Sequence, residues 1–441
     1  MKKIYIKTWG CQMNENDSFI IKRTLKKKLQ CTYVNNSKKA NILILNTCSI
    51  REKAQEKLFH QLGRWKKIKK KNSKIIIAVG GCVANQEGKK IYKRAPYIDI
   101  IFGTQTIHLL PKMIEEKKNT KKILVDAKLK GMQKFNIIFT PKYTHYKTYV
   151  TITEGCNKKC SFCVVPTTRG KEISRPYKDI LFEIKNMVRQ NIREVTLLGQ
   201  NVNSYLYIDK NSNNICNFQE LLYKISKIEE IKRIRFITSH PKDFNNKIID
   251  SYKKIPKLVN FLHLPIQSGS DKILKLMKRG YTVKRYKKII TNILKARPNM
   301  QISSDFIIGF PGETEKDFNR TMKIISEINF DNSFSFIYSK RPNTIASKLI
   351  DNTTLQEKKH RLHKVQKQIF YQSMQWNRRI IGTTQNILVH GTYKKNKKKL
   401  IGTTDSNRIV RFYGCDSEIG KIVSVKINGM KKKYFYGNIK K

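Results

Sequence analysis

Short apolar runs alternate with longer amphipathic stretches from the start of the chain. Ile4-Tyr5-Ile6, Ile42-Leu43-Ile44-Leu45 and Ile75-Ile76-Ile77-Ala78-Val79 are too short for helices and rich in β-branched residues, so each predicts a strand. Residues 15 to 29, 51 to 71 and 85 to 94 read as the helices behind them. Strand and helix in alternation predict a parallel α/β sheet over residues 1 to 125. Residues 112 to 146 are polar and basic, with Pro111 and Pro141 near their ends, and read as a connection between domains.

From residue 147 the alternation resumes. Runs at 149 to 153, 194 to 198, 233 to 238, 259 to 264, 301 to 308 and 333 to 338 predict strands. Between them, 177 to 190, 217 to 229, 244 to 253, 283 to 296 and 315 to 328 predict helices. Six such units make a partial (β/α)6 barrel over 147 to 375, two units short of a closed eightfold one. Beyond residue 375 the runs become short and β-like, at 385 to 389, 400 to 403, 409 to 412, 422 to 427 and 434 to 437. Gly391, Gly414, Gly420 and Gly429 punctuate them, which predicts a small OB-like β-barrel over 376 to 441.

In a parallel sheet the carboxyl ends of the strands share one edge, and ligands bind there. All three strands of the first domain end in a cysteine: Trp9-Gly10 leads to Cys11, Asn46-Thr47 to Cys48, and Gly80-Gly81 to Cys82. One such cysteine reads as a small buried residue. Three of three predict convergence on one edge. In the barrel, Gly155 breaks the first strand, and Cys156, Cys160 and Cys163 follow on a loop held open by Pro166 and Gly170. Three thiols so close together read as a metal site. They suit a four-iron cluster with one iron open to an outside ligand, or a zinc ion with a further ligand. His145 lies on the far side of the strand and is badly placed as that ligand. Later barrel strands carry or end in polar or turn residues: Gln200-Asn201, Ser239-His240, Gln267-Ser268, Asp305 on the fifth strand, and Gly309-Phe310-Pro311-Gly312 closing it. Each alone also reads as turn chemistry or a helix cap. The last is no phosphate loop, because no Gly-Lys-Ser/Thr follows. His240 and His263 read as packed histidines or as proton-transfer groups.

Charge adds a partner class. Lys+Arg number 91 against Asp+Glu 32, a net charge of +59. Such a chain attracts polyanions, nucleic acid first, although a lysine-, asparagine- and isoleucine-rich composition also follows from an AT-rich genome. From residue 376 onward 16 Lys/Arg stand against 3 Asp/Glu, with Tyr393, Phe412, Tyr413, Tyr434, Phe435 and Tyr436 among them. That mixture suits RNA phosphates and stacked bases. Cys31, Cys216 and Cys415 lack the strand-end placement, and nine cysteines in so long a chain suit a reducing cytosol better than a disulfide framework. No run of eighteen apolar residues predicts a membrane span, and the run after Met1-Lys2-Lys3 is too short for a signal peptide.

Cys156-x3-Cys160-x2-Cys163 behind a first barrel strand, with Phe162 before the last cysteine, resembles the radical S-adenosylmethionine (SAM) signature. Lys7-Thr8-Trp9-Gly10-Cys11-Gln12-Met13-Asn14, the string from Leu45 through Cys48 to Ala54, Gly80-Gly81-Cys82-Val83-Ala84, and the strings 262 to 271 and 304 to 314 resemble the methylthiotransferases of that superfamily. Residues 376 to 441 resemble their TRAM domain. The resemblance covers the whole chain. It implies two [4Fe-4S] clusters: one on Cys156, Cys160 and Cys163 that binds SAM, and one on Cys11, Cys48 and Cys82 that holds the sulfur to be delivered. It places Phe162 near the SAM adenine and makes Gln200, Gln267, Ser268 and Asp305 candidate SAM contacts, with no catalytic residue beyond the cluster ligands. The implied reaction is methylthiolation at C2 of N6-dimethylallyladenosine at tRNA position 37. The implied setting is a cytoplasmic monomer served by an electron donor such as flavodoxin or ferredoxin. Threonylcarbamoyl-adenosine in tRNA or a ribosomal protein are the alternative substrates, and a non-catalytic iron–sulfur RNA-binding protein is the alternative class.

Overall fold

A computed structural model of the protein describes residues 2–48, 52–129, 146–209, 213–393, 396–432 and 434–440. The amino-terminal part is a six-stranded, fully parallel sheet. Its strands run in the order Thr32–Tyr33, Lys3–Trp9, Ile42–Thr47, Ile76–Gly80, Ile100–Phe102, Leu124–Asp126. Ile42–Thr47 is buried along its whole length, as a strand covered on both faces must be. Its residues alternate between two cores. Ile42 and Ile44 pack with Ile21, Leu25 and Phe102, and Leu43 and Leu45 pack with Leu58, Leu62 and Trp65. Two expectations change here. The helix read over 85 to 94 is two helices, Cys82–Glu87 and Lys89–Arg94, broken at Gly88 with φ +49°. Residues 112 to 126, read as connection, supply most of helix Leu110–Asn119 and the edge strand Leu124–Asp126. Residues 130–145, with Pro141 and His145, lie outside the described residues.

The barrel follows. Lys147–Thr151, Glu194–Leu198 and Arg233–Phe236 pair in parallel, as do Phe261–His263 with Gln301–Ser303 and Asp305–Ile308 with Phe334–Ile337. Single bridges, Ile234 to Leu258 and Gln267 to Phe306, link these groups. The strand expected over 301 to 308 is interrupted at Ser304, whose Oγ accepts the Ile266 N–H at 3.0 Å. Helices pack outside the sheet on a core that includes Ile180, Ile184, Leu222, Ile248, Tyr286, Phe306 and Phe318.

Helix Leu355–Ile380 leads to a closed barrel of strands Thr384–Tyr393, Asn396–Thr403, Ile409–Tyr413, Tyr434–Ile439 and Ile422–Lys431, in that order around the barrel. Ile387, Val389, Leu400, Phe412 and Phe435 fill it. It docks on the amino ends of the larger barrel's strands through three buried arginines. Arg233 donates to the Thr403 carbonyl at 2.9 Å, and Arg235 donates to the Asp405 carbonyl at 2.6 Å. Arg408 pairs with the fully buried Asp331 at 3.0 Å. Each buried cation has a carboxylate partner, without which burial would be prohibitive. Among the described residues no helix is long and apolar enough to cross a membrane.

Candidate metal centre

The amino-terminal cysteines sit where the strands end. Cys11 is the N-cap of helix Gln12–Leu29, Cys48 follows Ile42–Thr47, and Cys82 opens helix Cys82–Glu87. Two glycines bring these loops together. A Cβ on Gly10 would lie 2.5 Å from Asn14 Oδ1 and 2.7 Å from Cys48 Cβ, and one on Gly81 would lie 2.5 Å from the Thr47 carbonyl. The buried Asn46 donates to the Asn14 carbonyl and to Ser18 Oγ, both at 2.8 Å, and so ties the strand end before Cys48 to the helix that Cys11 caps. Cys48 shares hydrogen bonds with both other thiols. That sharing lowers Cys11 to about 6 and Cys82 to about 7, and it raises Cys48. The coupling thus shifts Cys11 and Cys82 toward the thiolate, the form that binds metal, and leaves the proton on Cys48.

The barrel cysteines lie on a loop just as tightly held. Gly155 adopts φ +79°, and a Cβ there would stand 2.0 Å from the Lys171 carbonyl. Ser161 N–H donates to the Met277 carbonyl at 3.0 Å, its hydroxyl to the Leu276 carbonyl at 2.8 Å, and its carbonyl accepts from Ala346 N–H at 2.8 Å. The sulfurs collect donors. Lys158 N–H reaches Cys156 at 3.4 Å, Val165 N–H reaches Cys163 at 3.5 Å, and Arg279 Nη1 reaches Cys160 at 3.3 Å. His240 Nε2 is 3.8 Å from Cys160 Sγ. Burial, and then the Arg279 charge, push that imidazole down to about 2, so it is neutral. Burial raises Cys156 to about 11 and Cys163 to about 12.

The remaining predicted residues divide. Gln200 Oε1 accepts the Gly155 N–H at 2.6 Å, so this side chain steadies the cysteine loop. Phe162 is half-buried against Ile273, Met277, Phe310 and Tyr338. Gln267 takes a positive φ of 77° at its strand exit. Phe306 and Ile308 point to the outer core, so Asp305 faces the barrel interior, where its Oδ2 lies 3.5 Å from His263 Nε2. Ser268 is buried, with its Oγ 3.3 Å from Thr321 Oγ1 and accepting the Ser270 N–H. It packs the loop onto helix Glu315–Ile328.

Sequence reasoning passed over Arg169, which lies between the two cysteine sets. Its Nε donates to Cys82 Sγ at 3.3 Å, Nη1 to Glu154 Oε1 at 3.1 Å and Nη2 to Asp17 Oδ2 at 2.7 Å. Its carbonyl accepts from Gln105 Nε2 at 2.8 Å, and nearby Asn16 Nδ2 donates to Thr151 Oγ1 at 2.8 Å. The carboxyl edge of the sheet thus faces the carboxyl edge of the barrel.

The donor sets fit iron–sulfur clusters. A four-iron cluster binds each of three thiolates to a different iron and leaves the fourth open, and the N–H donors on Cys156, Cys160 and Cys163 suit sulfurs held that way.

Family models match in the same order as the domains. Residues 3–103 match the model described as uncharacterized protein family UPF0004, residues 150–325 the radical SAM superfamily, and residues 378–440 the TRAM domain. A tRNA-2-methylthio-N(6)-dimethylallyladenosine synthase of Buchnera aphidicola from Cinara cedri is 58% identical over 427 residues, covering 96% of this chain and 98% of that protein. The protein of that name from Sodalis glossinidius is 54% identical, covering 97% and 90%. Among solved structures, a radical SAM methyltransferase, TsrM, from Kitasatospora setae superposes with a TM-score of 0.57 at 11% identity, covering 79% of this chain and 75% of that one. At that identity the likeness shows the fold alone. Identity above half, over nearly the full length of both chains, places the protein in the family of tRNA-2-methylthio-N(6)-dimethylallyladenosine synthases, which are radical SAM enzymes.

Proposed function

We infer that the protein adds a methylthio group to C2 of N6-dimethylallyladenosine at tRNA position 37. The relatives' shared name supports the substrate. The observation that carries the chemistry is one buried arginine bonded both to Cys82 and to Glu154, the carboxylate two residues before Cys156. When bound, a four-iron cluster with SAM supplies the radical that an unactivated ring carbon requires, and a second cluster supplies the sulfur. Cys156, Cys160 and Cys163 hold the first; Cys11, Cys48 and Cys82 hold the second. Gln200 fixes the loop of the first set through Gly155. Asp305 on the fifth strand and Gln267 in the loop after the fourth offer polar groups to SAM, Phe162 offers an aromatic face, and Ser268 supports the loop from behind. A second SAM gives the methyl group.

The adenine must leave its stack to reach this site, which costs least in a single-stranded loop. The terminal barrel supplies the grip on RNA. Arg411 lies between the rings of Tyr393 and Tyr434, 3.9 and 3.8 Å from their centroids, and Lys399 lies 4.6 Å from that of exposed Tyr413. Cations beside aromatic faces suit phosphates and bases together. The protein acts as a cytoplasmic monomer, with domains over 1–125, 147–375 and 376–441. Its net charge of +59 favours an acidic electron donor of the flavodoxin or ferredoxin kind.

The test is mass spectrometry of tRNA nucleosides from cells with and without the protein, joined to an assay on substrate deuterated at C2. Methylthio-dimethylallyladenosine that depends on the protein, with deuterium in 5′-deoxyadenosine, supports the reading. A methylthio group found only on threonylcarbamoyl-adenosine overturns the substrate. Product formed with unlabelled deoxyadenosine overturns the hydrogen-abstraction route.

A further inference from the structure

We propose that Arg169 is a positioning residue that sets the placement and the reduction potential of the sulfur-bearing site on Cys11, Cys48 and Cys82. The proposal rests on the reading of those cysteines as cluster ligands. Arg169 ends the short helix Val165–Arg169 that begins two residues after Cys163. Glu154 lies two residues before Cys156, at the other end of the same loop, and Asp17 lies on the helix that Cys11 caps. One guanidinium therefore touches Cys82, the carboxylate at the start of the Cys156 loop, and the helix that Cys11 caps. Its plane is fixed by the two carboxylates on Nη1 and Nη2, which leaves the Nε–H aimed at Cys82 Sγ. The planar fork of arginine makes three directed bonds at once, which a lysine ammonium on a flexible stem does not reproduce. The residue is 3% exposed, so water does not substitute for any of the three.

Two consequences follow for the reaction. Sulfur from one site must meet a carbon held over the other, and small misplacements between reacting groups are costly. A guanidinium bonded to both sides holds the gap constant. A cluster's potential also follows net charge and hydrogen bonds to its sulfurs. A cationic N–H on the Cys82 sulfur stabilises the more negative, reduced state and raises the potential of this site.

The experiment uses full-length protein carrying Cys160→Ala, which leaves about four irons, on the amino-terminal set alone. With 15N-arginine incorporated, pulsed electron paramagnetic resonance of the reduced cluster should show a 15N coupling that is replaced by a 14N coupling in unlabelled protein and is lost in Arg169→Lys. Arg169→Lys in the same background keeps the charge beside Asp17 and Glu154 and removes the Nε–H. Its cluster should titrate at a more negative potential, and in the otherwise wild-type enzyme methylthio product per 5′-deoxyadenosine should fall. A bound cluster without arginine coupling overturns the proposal and leaves the cluster reading intact, as does an unchanged potential in Arg169→Lys. Absence of iron from the Cys160→Ala protein overturns the cluster reading and this proposal with it.

Discussion

Gly81→Ala is the sharpest test of how the amino-terminal thiols are brought together. Gly81 has φ +93° and ψ −166°, a region used almost only by glycine, where other residues pay about 1–3 kcal/mol. The added methyl would also stand 2.5 Å from the Thr47 carbonyl and 2.9 Å from the Thr47 nitrogen. The first is about 1 Å inside ordinary contact. Thr47 is fully buried on the strand that leads to Cys48, so the collision is relieved only by moving Cys82 away from Cys48. Overpacking of this kind costs about 1–3 kcal/mol, giving about 2–6 kcal/mol in all. That is less than the stability of most domains, so the variant should fold and fail locally. Gly88→Ala is the control. Its φ of +49° carries conformational strain, but a Cβ there meets nothing within 4 Å. After reconstitution, Gly81→Ala should hold about four irons per chain, against about eight for Gly88→Ala and the parent. Melting temperatures measured beside iron content separate misfolding from loss of the site. If Gly81→Ala holds as much iron as Gly88→Ala and melts with it, the reasoning from close approach is wrong.

Four further outcomes follow. In iron-free protein at pH 7, iodoacetamide should label the exposed Cys11 before Cys156 and Cys163, as read by peptide mass spectrometry, because its thiol is lowered to about 6 and theirs are raised to about 11 and 12; equal labelling would refute this. Cys156 and Cys163 stabilise the iron-free fold fully below the ordinary thiol value of 9.0 and lose that contribution as pH rises through about 11 and 12, so its melting temperature should fall above pH 9. Arg408→Met strands the buried Asp331 and should cost about 3–5 kcal/mol, with an early unfolding step of the terminal barrel in calorimetry; adding Asp331→Asn should recover part of it. Replacing Lys399, Arg411 and Lys431 together by Ala should weaken tRNA binding and flatten its dependence on log salt, and an unchanged slope in fluorescence anisotropy would remove this surface from the RNA contact.

Much of the architecture is legible in the chain because burial on both faces leaves long apolar runs. Ile42–Thr47 and Ile76–Gly80 announce themselves that way, and a cysteine after each is visible at once. The edge strands Thr32–Tyr33 and Leu124–Asp126 are two and three residues long and only half-buried, so they carry no comparable run, and the second disappeared into a segment read as linker. Gly88 was hidden for a different reason: glycine within a helical pattern marks a break only when its backbone takes a positive φ. Ser268 and Asp305 show the limit of strand-end reasoning. Ser268 follows the fourth barrel strand and Asp305 opens the segment Asp305–Ile308 of the fifth, yet one packs against a helix and the other faces the interior, and the alternation that decides this depends on where the strand is interrupted at Ser304. Arg169 had no local signal at all. Its partners lie 15, 87 and 152 residues away, and no pattern in the stretch around it tells where a guanidinium will point.

Those same separations fix an order of assembly. The amino-terminal sheet is complete once Asp126 has been made, whereas Arg169 is added about forty residues later, a delay of roughly 2–9 s at ordinary rates of synthesis. During that interval Cys82 and Asp17 wait without their guanidinium. At the far end of the barrel the roles reverse. Arg233 and Arg235 are made early and wait 170 residues for the backbone carbonyls of Thr403 and Asp405. Contacts so distant in the chain form late in folding, because the long loop between them must close first. The nascent protein is therefore sealed twice: an arriving arginine closes the seam at the cysteines, and waiting arginines close the floor when the last domain emerges.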